Sequence, residues 1–150
     1  MPQSLSNILV HFIFSTKNRY QLIHESIESE LHKYLCTVWR EANCPLIAIG
    51  GTSDHIHALG ILGRQANVAD IIEEVKTSSS KWIKSKGRQF SEFYWQAGYG
   101  AFSIGESGKT TLMRYIAGQK NHHKKVSFQD EYRKFLQAYG IEFDERYVWD

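Results

Sequence analysis

Apolar and polar positions follow two periodicities along this chain, and their alternation sets out the elements. Residues 8–15, ILVHFIFS, are a nearly unbroken run of β-branched and aromatic side chains and predict a strand. Lys17, Asn18 and Arg19 then form a polar, basic turn. From about 25 to 43 apolar residues recur at Ile27, Leu31, Tyr34, Leu35, Val38 and Ala42, a helical spacing that Pro45 cannot continue. PLIAIG predicts a second strand, GGTSD a turn and HIHALGIL a third strand. Asn67 is a good N-cap for a helix with apolar residues at Val68, Ile71, Ile72, Val75 and Trp82, ending near Gly87. The aromatic, glycine-rich FYWQAGYGAFSIG leads through a loop into a fourth strand around 100–105. TTLMRYIAGQKNHH predicts a short helix, and SFQDEYRKFLQAYG a last one.

The order β-α-β-β-α-β followed by helices predicts an α+β fold, a ferredoxin-like antiparallel sheet with helices on one face. Neither a repeat nor a dividing linker interrupts it, so residues 1–150 read as a single domain. No apolar run approaches the roughly 20 residues needed to span a bilayer. The start, MPQSLSNILVHF, lacks the pattern of a secretory signal, and Cys36 and Cys44 have no framework around them. A cytoplasmic protein is expected.

Net charge is only +2, but its distribution is uneven. Between Lys76 and Lys125 ten basic residues face only Glu92 and Glu106. Such a bias suits a phosphate-bearing partner, and it is equally compatible with a solvated lysine-rich surface.

Chemistry enters with His55 and His57. Side chains at i and i+2 of a strand point the same way, so two imidazoles can converge on one ion while Ile56 points into the core. The motif needs a third ligand. Tyr115 and Gln119 are i and i+4, one face of a helix, and Gln119 offers an amide oxygen that would hold Tyr115 beside the ion. Gly118 costs a helix about 1 kcal/mol relative to alanine, or else admits another backbone or DNA. GESGKT is no phosphate loop, because position 103 is serine where that motif requires glycine. His122 and His123, before Lys124 and Lys125, read as a DNA-facing basic cluster, with a further metal ligand as the alternative.

HFIFSTKNR, DHIH, WQAGYGAFSIG, YIAGQKNHH and the C-terminal GIEFDERYVW, in this order, resemble the HUH single-tyrosine transposases. These comprise small insertion-sequence enzymes and the REP-associated tyrosine transposases. The resemblance implies a ferredoxin-like fold whose C-terminal helices carry the nucleophile, Tyr115. His55, His57 and Gln119 match the metal ligands, with Mg²⁺ or Mn²⁺ as the ion. It also implies cleavage and rejoining of single-stranded DNA near a hairpin through a 5′-phosphotyrosine. Gly60 departs from the bulky aliphatics the family carries there. Lys17, Arg19, Lys81, Lys84 and Lys86 are candidate phosphate contacts, and Trp95 and Tyr99 candidate stacking partners for bases.

Two rival readings are a domesticated HUH nickase and a non-catalytic ferredoxin-like module for structured nucleic acid. With one tyrosine per chain matching the nucleophile position and two cleavages per excision, a homodimer is expected. The break at Gly105-Glu106-Ser107-Gly108 would let the Tyr115 helix reach the partner's site in trans.

Overall fold

A computed structural model describes residues 2–150. The elements are β1 (Leu9–Ser15), α1 (Glu25–Glu41), β2 (Leu46–Gly51), β3 (His55–Ile61), α2 (Val68–Lys84), β4 (Gly100–Ile104), α3 (Lys109–Ala117), α4 (Gln119–His122) and α5 (Phe128–Ala138). The four strands form one antiparallel sheet in the order β2-β3-β1-β4. This is the expected ferredoxin-like α+β architecture.

One face packs Val10, Phe12 and Phe14 of β1 with Ile56 and Ala58 of β3 against α1 and α2, through Leu31, Leu35, Trp39, Ile72 and Val75. The expectation of helices on one face holds for these two crossover helices. The opposite face is covered as well. Ile13 and Phe102 meet Phe128, Tyr132 and Leu136 of α5, while Leu9 and Leu59 meet Leu112 and Ile116 of α3. Strand β1 is therefore buried along its whole length. That explains why ILVHFIFS is apolar at nearly every position and does not alternate.

Local signals act largely where the sequence puts them. The Asn67 side chain accepts a hydrogen bond from the Asp70 amide at 2.9 Å and starts α2. That helix stops at Lys84, before Gly87. TTLMRYIAGQKNHH is two helices, broken at Gly118. Gly118 leaves ordinary van der Waals space for a side chain. The close approach lies elsewhere, at Gly50, where a Cβ would sit 2.4 Å from the Ile116 carbonyl oxygen. Gly60 likewise makes room for Cys44, whose sulfur a Cβ would approach to 2.7 Å. Cys36 and Cys44 are free thiols. Among the described residues no helix is long and apolar enough to cross a membrane.

Candidate active site

The turn after β2 delivers His55 and His57 to the face covered by the C-terminal helices, and Ile56 to the core beneath α1 and α2. Both imidazoles are fully buried. Each is held from behind. His55 Nδ1 lies 2.6 Å from Asp54 Oδ1 and 2.9 Å from Thr52 Oγ1. An ionised carboxylate only accepts, so Nδ1 carries the proton and Nε2 keeps its lone pair. Burial alone would raise the Asp54 carboxyl, but its hydrogen bond and charge interaction with His55 hold it below its ordinary value. His57 Nδ1 meets His11 Nε2 at 2.8 Å, the two rings stacked. Burial pulls His57 down to about 4 against the opposing pull of Glu131, and it pulls His11 down to about 3 with His57 adding to the effect. Both rings are neutral at pH 7, and beside the Glu131 carboxylate, 2.8 Å away, His57 Nε2 carries a proton that an ion would displace.

The break at Gly118 gives Gln119 its role. The Gln119 amide nitrogen donates to the Tyr115 carbonyl at 3.2 Å, which turns Oε1 toward His55 Nε2, also at 3.2 Å. Two lone-pair atoms then face each other in a buried pocket, an arrangement that a cation between them resolves. On this observation the residues fit a divalent ion.

Tyr115 comes from the last turn of α3. Its ring lies 5.7 Å from the His57 ring, edge to face. Its hydroxyl donates to Glu131, and His122 Nε2 is 3.2 Å away. Burial and then Glu131 push the phenol well above its ordinary range. A cavity of about 300 Å³ opens beside the hydroxyl, lined by Tyr115, His122, Val126, Glu131, Lys134 and Phe135. The helix docks on its own sheet, with Leu112 and Ile116 against Leu9 and Leu59. In the single chain described, Tyr115 stands beside the histidines of its own sheet.

Glu131 is the residue that the sequence reading misses. Only 3% of its side chain is exposed, and His57 Nε2, His122 Nε2 and His123 Nε2 lie within 2.8–3.1 Å of its carboxylate. In sequence it reads as one of two acidic residues in the first turn of an amphipathic helix. No local pattern separates that use from a site. Asp54 and His11 were also missed, although DHIH and HFIFS contain them. His123 turns in toward Glu131, while His122, 30% exposed, lines the cavity beside the Tyr115 hydroxyl.

The basic candidates remain at the surface. Lys17 and Lys84 gather over the Tyr94 ring, at 5.8 and 4.2 Å, while Lys86 covers Trp82 and Lys81 is exposed. Arg19 stacks on Trp149. Trp95 is no free platform. Its ring packs against Phe14 and Phe93, and its indole N–H donates to Ser79 at 2.9 Å. Tyr99 is 37% exposed with Lys76 above it, and Tyr94 is 50% exposed.

A family model described as IS200-like transposase matches residues 4–119. No curated protein matches the chain. Among solved structures, a protein assigned as a transposase from Deinococcus radiodurans R1 superposes with a TM-score of 0.61 at 20% identity, covering 79% of this chain and 98% of its own. A REP-associated tyrosine transposase bound to a REP hairpin gives 0.62 at 15% identity, covering 84% of this chain and 74% of its own. These two likenesses concern the fold. The family match spans most of the chain and includes the histidine pair, Tyr115 and Gln119, so this protein belongs to the IS200-like transposases, the HUH single-tyrosine family.

Proposed function

We propose that the protein cleaves and rejoins single-stranded DNA beside a hairpin through a covalent 5′-phosphotyrosine on Tyr115. The observation that carries this reading is the convergence of His55, His57, Gln119 and the Tyr115 hydroxyl on one pocket. Hairpin DNA as substrate is supported by the relative bound to a REP hairpin and by the lysines gathered around Tyr94.

His55, His57 and Gln119 would hold a divalent ion, Mg²⁺ or Mn²⁺. When bound, such an ion supplies Lewis-acid stabilisation of charge on the non-bridging phosphate oxygens. The chain's own residues do the rest. Asp54 and His11 fix the orientation of the two imidazoles. Tyr115 forms the bond from its oxygen to phosphorus as the bond from phosphorus to the 3′ oxygen breaks. Its hydroxyl proton passes to Glu131, which already accepts it in a hydrogen bond, and the departing 3′ oxygen takes a proton from water. The phosphotyrosine keeps the energy of the diester, so a 3′-hydroxyl can reverse the step without a nucleotide cofactor. The site assembles within one chain, and a homodimer would serve to bring two such sites to two strands.

The test uses a labelled single strand bearing a hairpin, with Mn²⁺ or Mg²⁺, resolved on a denaturing gel. The wild-type protein should give a covalent adduct that EDTA and Tyr115→Phe both abolish. An adduct that survives Tyr115→Phe and maps to Tyr94, Tyr99 or Tyr132 overturns the assignment.

A further inference from the structure

We infer that His123 and Glu131 join His55 and His57 as direct ligands of the ion, giving a three-histidine, one-carboxylate centre beside Gln119. This rests on the reading above that His55 and His57 hold a divalent ion.

The first support is geometric. One ligand atom from each of His55, His57, His123 and Glu131 lies within 4.8 Å of all the others. Ligands on opposite sides of an ion at about 2.1 Å stand about 4.2 Å apart, so a closure of a few tenths of an ångström per side chain suffices.

The second is an unpaired atom. The His123 side chain is 10% exposed, yet its Nε2 makes no aligned hydrogen bond although Glu131 Oε2 is 3.1 Å away. A buried nitrogen left so costs on the order of 1–3 kcal/mol, a cost that coordination removes. The backbone explains its position. The His123 amide donates to the Gln119 carbonyl at 2.9 Å, closing the single turn after Gly118. Gln119 and His123 therefore approach His55 together, with the His55 and His123 ring centres 4.2 Å apart.

The third is charge. Two neutral imidazoles and an amide leave both charges of the ion uncompensated in a buried pocket. Glu131 is a buried carboxylate that, among the described residues, pairs with no lysine or arginine and has only imidazoles and Tyr115 around it. A buried anion without a cation and a cation pocket without an anion complete one another. The two oxygens divide the work. Oε1 faces His57 Nε2 at 2.8 Å, and Oε2 faces Tyr115.

Calorimetric titration of metal-stripped protein with Mn²⁺, together with pulsed electron paramagnetic resonance of the complex, tests this without any DNA. The wild-type spectrum should count three imidazole nitrogens on Mn²⁺, and His123→Gln should count two. His123→Gln and Glu131→Gln should each weaken Mn²⁺ binding at least about tenfold, as outer-sphere partners alone commonly do. Two nitrogens in the wild type, with wild-type affinity in both variants, overturns the inference and leaves the two-histidine site standing. Wild-type affinity in His57→Ala overturns that underlying reading instead. The nitrogen count on the wild-type protein needs no variant to fold.

Discussion

The hydroxyl of Tyr115 donates its proton in a hydrogen bond to Glu131, across α3 and α5. The two residues are sixteen positions apart, and each is fixed by different packing. Tyr115 rides on Leu112 and Ile116, Glu131 on Phe128 and Tyr132. The contact holds the nucleophile at the mouth of the cavity and, without an ion, keeps it protonated. Glu131 itself stays ionised: burial would raise its carboxyl, but the close His123 ring, the hydrogen bonds from His57 and Tyr115 and the charge interaction with His57 push it far below the ordinary range. An anion beside a phenol opposes ionisation of that phenol. Relief of that opposition requires positive charge near Glu131.

The buried histidines make the metal-free protein acid-sensitive. Burial lowers His57 to about 4 in the folded protein, against 6.5 for an ordinary histidine in the unfolded chain. Between those values the unfolded chain binds more protons than the folded one, so stability rises with pH across this window and falls as pH drops through it. Glu131, held far below its ordinary range when folded, adds to the loss as pH falls toward 4.5, where the unfolded carboxyl takes up a proton. Urea unfolding in EDTA should show a loss of about 2 kcal/mol from pH 6.5 to pH 5 from His57. His57→Gln should lessen that slope, the remainder coming from His11, which burial lowers in the same way. An equally steep slope in the variant assigns the sensitivity to other groups.

Sequence periodicity carried the architecture, because each crossover helix buries one apolar stripe against the sheet and the inner strands are apolar on both faces. It carried the histidine pair because strand alternation is strictly two. What it missed lies where contacts are non-local. Glu131 joins His57 across 74 positions, and His11 meets it across 46. Neither pairing leaves a local signal. Trp95 misled in the opposite way, because a glycine-rich aromatic segment looks like an exposed loop while this ring fills the core beside Phe14.

The seat of the Tyr115 helix depends on the glycine at position 50. A Cβ there would press on the Ile116 carbonyl, backbone that has no rotamer to escape into. Gly50→Ala should destabilise the protein by about 1–3 kcal/mol and lower adduct formation by shifting Tyr115. Gly118→Ala, with no contact closer than 3.4 Å, should leave the melting temperature and the adduct largely unchanged. Equal tolerance at both positions refutes the claim that α3 is seated by Gly50.

Tyr94 and Trp95 should separate cleanly in binding and stability. Tyr94 is half-exposed between Lys17 and Lys84, so Tyr94→Ala should weaken binding of hairpin DNA severalfold and leave unfolding unchanged. Trp95→Ala empties core volume and removes the indole N–H bond to Ser79, at a cost of about 3–5 kcal/mol. Fluorescence anisotropy and thermal unfolding read the two effects. A stability loss confined to Tyr94→Ala would reverse the assignment.

Whether the site is built within one chain can be decided by mixing two dead proteins. His57→Ala lacks an imidazole donor, and Tyr115→Phe lacks the nucleophile. If α3 crossed between subunits, a mixed dimer would hold one site with both lesions and one intact site, and single-strand cleavage would return. In the structure α3 is anchored to its own sheet by Leu112 and Ile116 against Leu9 and Leu59, and by the backbone contact at Gly50. Each subunit then keeps its own lesion. The mixture, incubated under conditions that exchange subunits, should therefore form no adduct above either parent alone. Recovery toward one quarter of the wild-type yield, the share expected when half the dimers are mixed and half their sites are whole, would mean that the helix is exchanged in solution.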